Sequence, residues 1–166
     1  MALTLEDRYI ILDNNIIFDF GVLDDFVLLN RILANNHVIM SPEVREEVKR
    51  EIKIENLTCK LQVCDSEADY LHAAALRKEQ KGLSVEDISC LVLAKKFEGI
   101  CATNDKLVRK VAKRESIPVI GSIGLLECAI ALAILTHEEA ADFLLKTVEM
   151  GAFIERKLVD NFMERR

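Results

Sequence analysis

Tyr9-Ile10-Ile11-Leu12-Asp13-Asn14-Asn15 is a short apolar run that stops on three consecutive polar residues. A continuous apolar run of this length has no polar face, so it reads as a strand buried on both sides, and the polar triplet reads as the turn that ends it. The same signal returns at His37-Val38-Ile39-Met40, at Ile100-Cys101-Ala102-Thr103 and, more weakly, at Leu61-Gln62-Val63-Cys64. Ile117-Pro118-Val119-Ile120 makes a fifth run, whose proline has no amide for a ladder and so belongs at a sheet edge. Helical stretches separate these runs. One is expected over about 22–34, and Ser41-Pro42 supplies a cap and a first-turn proline for another over about 42–54. A third, over 66–80, carries Glu67 and Asp69 in its first turn. Ser84-Val85-Glu86-Asp87 has the pattern of a capping box opening a helix to Phe97, and a further helix fills 105–115.

This alternation predicts an α/β fold, a parallel and roughly five-stranded sheet flanked by helices as a three-layer sandwich. Past the fifth strand the pattern is all helical, at about 123–135, 138–150 and 153–163. Residues 1–166 are therefore read as a single domain, with 136–166 an α-helical C-terminal extension packed on it. The last helix carries Ile154, Leu158 and Phe162 at four-residue spacing, a stripe that this domain or a partner must cover.

Composition narrows the function classes. The 166 residues are 51% hydrophobic and 30% charged with 6 Gly and 2 Pro, which excludes a disordered or low-complexity chain. A net charge of -6 opposes unspecific adsorption to nucleic acid, and 5% aromatics with no Trp oppose a broad base-stacking platform. Five cysteines, odd in number and never in C-x-x-C spacing, read as reduced thiols with neither disulfide nor zinc. Residues 1–8 hold two acids and no apolar core, so no secretory signal is expected. The most apolar stretch, 117–135, is broken by Pro118, Gly121, Gly124 and Glu127, so no membrane span is expected and a cytoplasmic protein is. The three histidines match no metal or base spacing. Gly121-Ser122-Ile123-Gly124 lacks the third glycine and the lysine of phosphate loops and reads as close packing.

In open parallel sheets ligands sit beyond the carboxyl ends of the strands. Asp13 ends the first strand and Asp105 follows the fourth. On the helix after Pro42, Val44, Val48 and Ile52 define the buried stripe; Glu46 points away from it and Glu47 lies on its border. Asp87 shares a face with Leu91 and Ala94. Each acid also has an ordinary role open to it: Asp13 as a turn former, Asp105 as a first-turn acid, Asp87 as a capping-box member and Glu47 as a solvated helix residue. Four carboxylates meeting at one edge repel one another unless protons or hard cations neutralise them, and an all-oxygen set selects magnesium or manganese. The chemistry such ions serve is phosphodiester hydrolysis. Lys106, Arg109, Lys110, Lys113 and Arg114 share the face of their helix opposite Val108, Val111 and Ala112; Lys106, Arg109 and Lys110 are the candidate substrate contacts beside Asp105.

These residues resemble the motifs of the PIN domain nucleases. Leu12-Asp13-Asn14-Asn15-Ile16-Ile17 resembles the family's opening motif Leu-Asp-Thr-Asn-Val-Leu, with Asn14 where Thr is usual. Ser41-Pro42-Glu43-Val44-Arg45-Glu46-Glu47-Val48 is similar to the second motif, with Glu47 at the ligand position. The segment from Asp87 to Ala94 is similar to the third, and Thr103-Asn104-Asp105-Lys106 to the fourth. The stretch 117–126 and the tail resemble a VapC-like archaeal and bacterial subgroup. The resemblance implies a nuclease that uses Mg2+ or Mn2+ on RNA, leaving a 5'-phosphate and a 3'-hydroxyl. It implies catalytic and metal-holding roles for Asp13, Glu47, Asp87 and Asp105, with Asn15, Thr103 and Asn104 supporting them from behind. It also implies a homodimer and, in many members, a toxin paired with an antitoxin protein. Asn104 stands where related sequences often carry a further acid, so a second metal ion is expected to be weakly held or supplied only with substrate, and one metal site is the safer expectation. The rival reading is a catalytically weak PIN-like nucleic-acid or protein binding module, a scaffold whose acids are vestigial. A receiver or phosphatase-like protein is a third reading; Asp65 is available as its acceptor, but the strand-end lysine it needs is missing.

Overall fold

Tyr9–Leu12 (β1) is the central strand of a five-stranded sheet whose other members are His37–Met40 (β2), Lys60–Leu61 (β3), Ile100–Ala102 (β4) and Val119–Ile120 (β5), in the order β3-β2-β1-β4-β5. The structure is a computed structural model that describes residues 4–165; 1–3 and 166, the ends of the expected domain, lie outside the described residues. Every strand pairing is parallel, with Ile11 aligned to Ile39 on one side and to Cys101 on the other. Ile10, Ile11 and Leu12 are fully buried, as a strand covered on both faces requires. The chain builds from β1 out to β3, then crosses back to add β4 and β5 on the opposite side. The reversal leaves a crevice at the carboxyl ends of β1 and β4.

The helices are Asn14–Asp24 (α1), Val27–Ile32 (α2), Pro42–Val48 (α3), Glu67–Glu79 (α4), Val85–Lys96 (α5), Lys106–Arg114 (α6), Ser122–Ala131 (α7), His137–Glu149 (α8) and Arg156–Glu164 (α9). Helix α5 is buried at every position from Ile88 to Ala94, the pattern of a helix enclosed on all sides. It packs on β1 and β4 and carries α3, α4 and α6 around it. Helices α1, α2, α7, α8 and α9 form a second packed group, α1 against α2 and α8, and α7 against α2, α8 and α9. The architecture is thus the expected parallel sheet flanked by helices. Without Trp, the core is aliphatic, with Phe20, Phe26 and Phe162 as its largest fully buried rings. Among the described residues no helix is long and apolar enough to cross a membrane.

Four local expectations are corrected. The helix expected over about 22–34 begins instead at Asn14, because the Asp13 carboxylate accepts the Asn14 amide and caps it. It is then interrupted at Asp25 and Phe26, both left-handed at φ 54° and 69°. Gly21 makes that reversal possible: a Cβ there would stand 2.5 Å from the Phe26 ring, which fills the space. Helix α3 stops at Val48 rather than about Ile54, because the Asn30 side chain donates to the Asn56 carbonyl and accepts the Thr58 amide, fixing the following segment in irregular form. The third strand is Lys60–Leu61, displaced from Leu61–Cys64 and short, as an exposed edge favours. In α9 the buried residues are Val159 and Phe162, with Leu158 about half exposed and Ile154 ahead of the helix, so the covered face is rotated from the Ile154-Leu158-Phe162 stripe. His137 stacks on Phe162 at 4.8 Å and covers it from within the chain.

Candidate functional site

Asp13 sits where β1 turns into α1 and is only 1% exposed. Its Oδ1 accepts the Asn14 amide at 2.8 Å; its Oδ2 accepts the Thr103 hydroxyl at 2.6 Å and the Asn15 side-chain amide at 3.1 Å. Burial raises the carboxyl from 3.8 to about 6 against the opposing pull of the Thr103 hydroxyl and Asn14 amide, and Asp87 and Asp105 push it further up.

Thr103, just past β4, joins the two strand ends. Its hydroxyl donates to Asp13 and accepts the Asp105 amide at 3.1 Å. The Asn15 carboxamide oxygen accepts the Asn104 amide at 2.9 Å. Asn15 and Thr103 thus both donate to the Asp13 carboxylate. The Asn104 side chain turns to other partners: its amide group donates to Asp19 Oδ2 and to the Ser122 hydroxyl, each at 2.9 Å, while its oxygen accepts the Ser122 amide at 2.9 Å. The Ser122 hydroxyl completes the ring by donating to Asp19 at 2.8 Å. Asp19 is 9% exposed, and burial raises it from 3.8 to about 6 although Ser122 and Asn104 both stabilise its charged form. Gly121 belongs to this ring sterically, since a Cβ there would stand 2.7 Å from Asn104 Oδ1.

Asp19 and Ser122 are polar residues of the site that sequence reasoning missed. The available signal was the four-residue spacing of Asn15 and Asp19, which puts both on one face of α1 once that helix starts at Asn14.

The remaining acids reach the same edge from other elements. Asp87 and Ser84 form the expected capping box of α5, with Asp87 Oδ2 accepting the Ser84 amide at 2.8 Å. Burial raises the Asp87 carboxyl, the Ser84 bonds oppose this, and Asp105 and Glu86 add to the rise. Asp105 is exposed and caps α6 through the Val108 amide at 2.9 Å. Glu47 is largely exposed on α3; partial burial raises it, the Asn14 side chain opposes that, and Glu86 and Asp87 repel it. Glu46 instead points outward to Lys49 at 2.7 Å. The four acids thus face one another electrostatically through Asp13, Asp87 and Asp105, with Glu47 coupled at the margin. Among the described residues no three acid, imidazole or thiol side chains stand close enough to grip one ion. Asp87 Oδ1 and Asp105 Oδ2 accept no hydrogen bond among the described residues, so capping leaves each of these acids a donor oxygen.

On the other side of Asp105, Arg109 is half-buried, with Nη1 at 3.4 Å from the Thr103 carbonyl, and Lys110 is exposed. Lys106 lies 3.6 Å from Glu155, an exposed pair that water or a phosphate displaces readily. A cleft of about 510 Å³ runs from Asn14, Asn15 and Asp19 past Asp105 to Gly151 and Phe153. The histidines are structural: His37 stacks on Tyr9, His72 meets Glu115 at 2.9 Å and His137 bonds the Phe162 carbonyl at 3.0 Å. The five cysteines are free, and burial raises the thiols of Cys90 and Cys101 strongly, so both stay protonated.

Comparison with curated proteins finds no match. Residues 9–166 match the family DUF3368, described as a PIN domain, which spans every element from β1 to α9 and the acid-lined edge between them. PIN domains are in general nucleases that use divalent metals. The chain belongs to the PIN domain family.

Proposed function

We propose that this PIN domain is a ribonuclease that hydrolyses phosphodiester bonds of single-stranded or structured RNA with Mg2+ or Mn2+, held by Asp13, Glu47, Asp87 and Asp105. The observation that carries the reading is Asp13: a carboxyl buried at a topological switch point, raised to about 6, and repelled by Asp87 and Asp105. An all-oxygen donor set under mutual repulsion suits a hard divalent cation in its chemistry, and binding would have to draw together carboxylates that stand too far apart to grip one ion without it. When bound, such an ion activates water and offsets charge on the phosphate. The chain's own residues do the positioning. Thr103 and Asn15 fix the Asp13 carboxylate, the Asp19-Asn104-Ser122 ring anchors the loop before Asp105, and Lys106, Arg109 and Lys110 bind the phosphates flanking the cut.

The reading extends to a homodimer and to a VapC-like role in which an antitoxin protein restrains the enzyme. Its rival is the catalytically weak binding module. That alternative draws on the caps formed by Asp13, Asp87 and Asp105, which give each acid a structural role. Cleavage of end-labelled single-stranded RNA separates the two. Cleavage should need magnesium or manganese, stop in chelator, leave 5'-phosphate ends, and fall severely in Asp13→Asn and Asp105→Asn. Cleavage that survives chelator rejects the metal dependence, and a protein that never cleaves rejects the nuclease.

A further inference from the structure

Phe153 is 92% exposed, more than any other large apolar side chain among the described residues. It does not sit on a loose end. Helix α8 closes in a Schellman arrangement, with Gly151 left-handed at φ 94°, its amide donating to the Val148 carbonyl at 3.0 Å and the Ala152 amide to the Thr147 carbonyl at 3.1 Å. The Ile154 amide then bonds the Ala152 carbonyl at 3.0 Å. The backbone on both sides of Phe153 is therefore tied down while its ring is held out.

What the ring faces gives it a use. Phe153 lines the cleft that holds Asn15, Asp19 and Asp105, and also a second cleft of about 730 Å³ lined by Asp105, Lys106 and Arg109. It stands between the acid-lined edge and the cations of α6. Proteins that bind single-stranded nucleic acid join a cationic track for the phosphates to an aromatic face for the bases. Here Lys106 and Arg109 supply the first beside Asp105, and Phe153 supplies a face one cleft wall away. A single ring on a chain with a net charge of -6 gives local recognition rather than broad adsorption.

We infer that Phe153 is a substrate-positioning residue that stacks on one base of single-stranded RNA, next to the phosphate presented to Asp13 and Asp105. This rests on the nuclease reading and adds the contact that would set where the strand lies. Stacking of one base predicts that Phe153→Ala weakens binding by about 5- to 150-fold. Phe153→Leu, which keeps apolar bulk without a ring, should weaken it similarly. The chain has no Trp, so Phe153→Trp introduces a single reporter whose emission should be quenched on binding while affinity holds.

The experiment measures anisotropy of a fluorescein-labelled oligouridylate at low salt in chelator for wild type and the three variants, with tryptophan emission followed in Phe153→Trp. Melting temperatures should match throughout, because the ring contributes little to the core. Wild-type affinity in the Ala or Leu variant, unchanged tryptophan emission at saturating RNA, or no RNA binding by wild type each overturns the inference. Ring-independent RNA affinity would instead point to a protein partner for Phe153. Binding is read without cleavage, so a failure at Phe153 leaves the nuclease reading standing. Loss of metal-dependent cleavage with ring-dependent binding intact removes the nuclease reading alone.

Discussion

Asp19→Asn should stabilise the protein at neutral pH and lose that advantage as the pH falls through about 6. The carboxyl of Asp19 is 9% exposed and raised from 3.8 to about 6, so the folded state holds its proton more tightly than the unfolded chain does. The sign follows from proton linkage. Between these two values the native state binds more protons, so stability falls as pH rises from 3.8 towards about 6 and stays lower above it. A shift of this size corresponds to about 3 kcal/mol at neutral pH. Both bonds to Asp19 go to Oδ2, and Oδ1 accepts none among the described residues. An Asn side chain can therefore keep its oxygen on Asn104 and Ser122 and turn its amide group to the cleft that Asp19 lines. Allowing about 1 kcal/mol for exchanging a carboxyl for a carboxamide leaves about 2 kcal/mol of stabilisation, or roughly 4–8 °C in Tm for a chain of this length. The assay is a pair of thermal melts of wild type and Asp19→Asn in chelator, at about pH 7.5 and about pH 4.5, on either side of the folded-state value. A variant less stable than wild type by the same amount at both pH values would refute the reasoning, because it would show that the folded chain binds the Asp19 proton no more tightly than the unfolded one.

Glu46→Gln should cleave RNA at nearly the wild-type rate while Glu47→Gln loses most of its activity, because Glu46 turns outward to Lys49 and Glu47 faces Asp87; the reverse result in the same labelled-RNA assay would overturn the assignment of faces on α3. In solution the chain should form a homodimer, measured by light scattering at micromolar concentration. Since α9 buries Val159 and Phe162 within its own chain, the contact should use other surfaces, and Phe162→Ala should lower stability, by about 3–5 kcal/mol, before it affects dimerisation. A monodisperse monomer would reject the dimer.

The central strands were legible because both faces of the sheet are covered, which writes β1, β2 and β4 as plain apolar runs, and because Pro118 marks β5 as an edge. Asp13 and Asp105 were legible for the same reason, as polar residues stopping those runs. What escaped was the difference between a turn and a cap. Asp, Asn and Ser serve both, and only the tertiary setting of Asp13-Asn14-Asn15 makes it the start of α1. That one misplacement hid Asp19, whose relation to Asn15 exists only on a helix beginning at Asn14. The end of α3 escaped because Val44, Val48 and Ile52 keep helical spacing on paper, while the side chain of Asn30, distant in sequence, claims the backbone beyond. Ser122 was placed in a close-packing glycine segment, which it is, but its hydroxyl bond to Asp19 joins residues 103 positions apart and has no local signature.

The claim that Asp13, Asp87 and Asp105 share one cation site is tested most directly by thermal melts of wild type, Asp13→Asn and Asp87→Ala over a manganese titration. A ligand that binds only the native state stabilises it by mass action, by about 2.7 kcal/mol at one hundred times its dissociation constant, so the wild-type Tm should climb with manganese. In chelator Asp13→Asn should melt above wild type, because it removes a buried charge repelled by Asp87 and Asp105. Asp87→Ala should melt close to wild type there, since relief from repulsion offsets the lost cap, which alone is worth about 1 kcal/mol. Both variants should respond to manganese less than wild type. Equal shifts in all three proteins, with Asp87→Ala lower by the same amount at every manganese concentration, would contradict the shared site and leave the acids as helix caps.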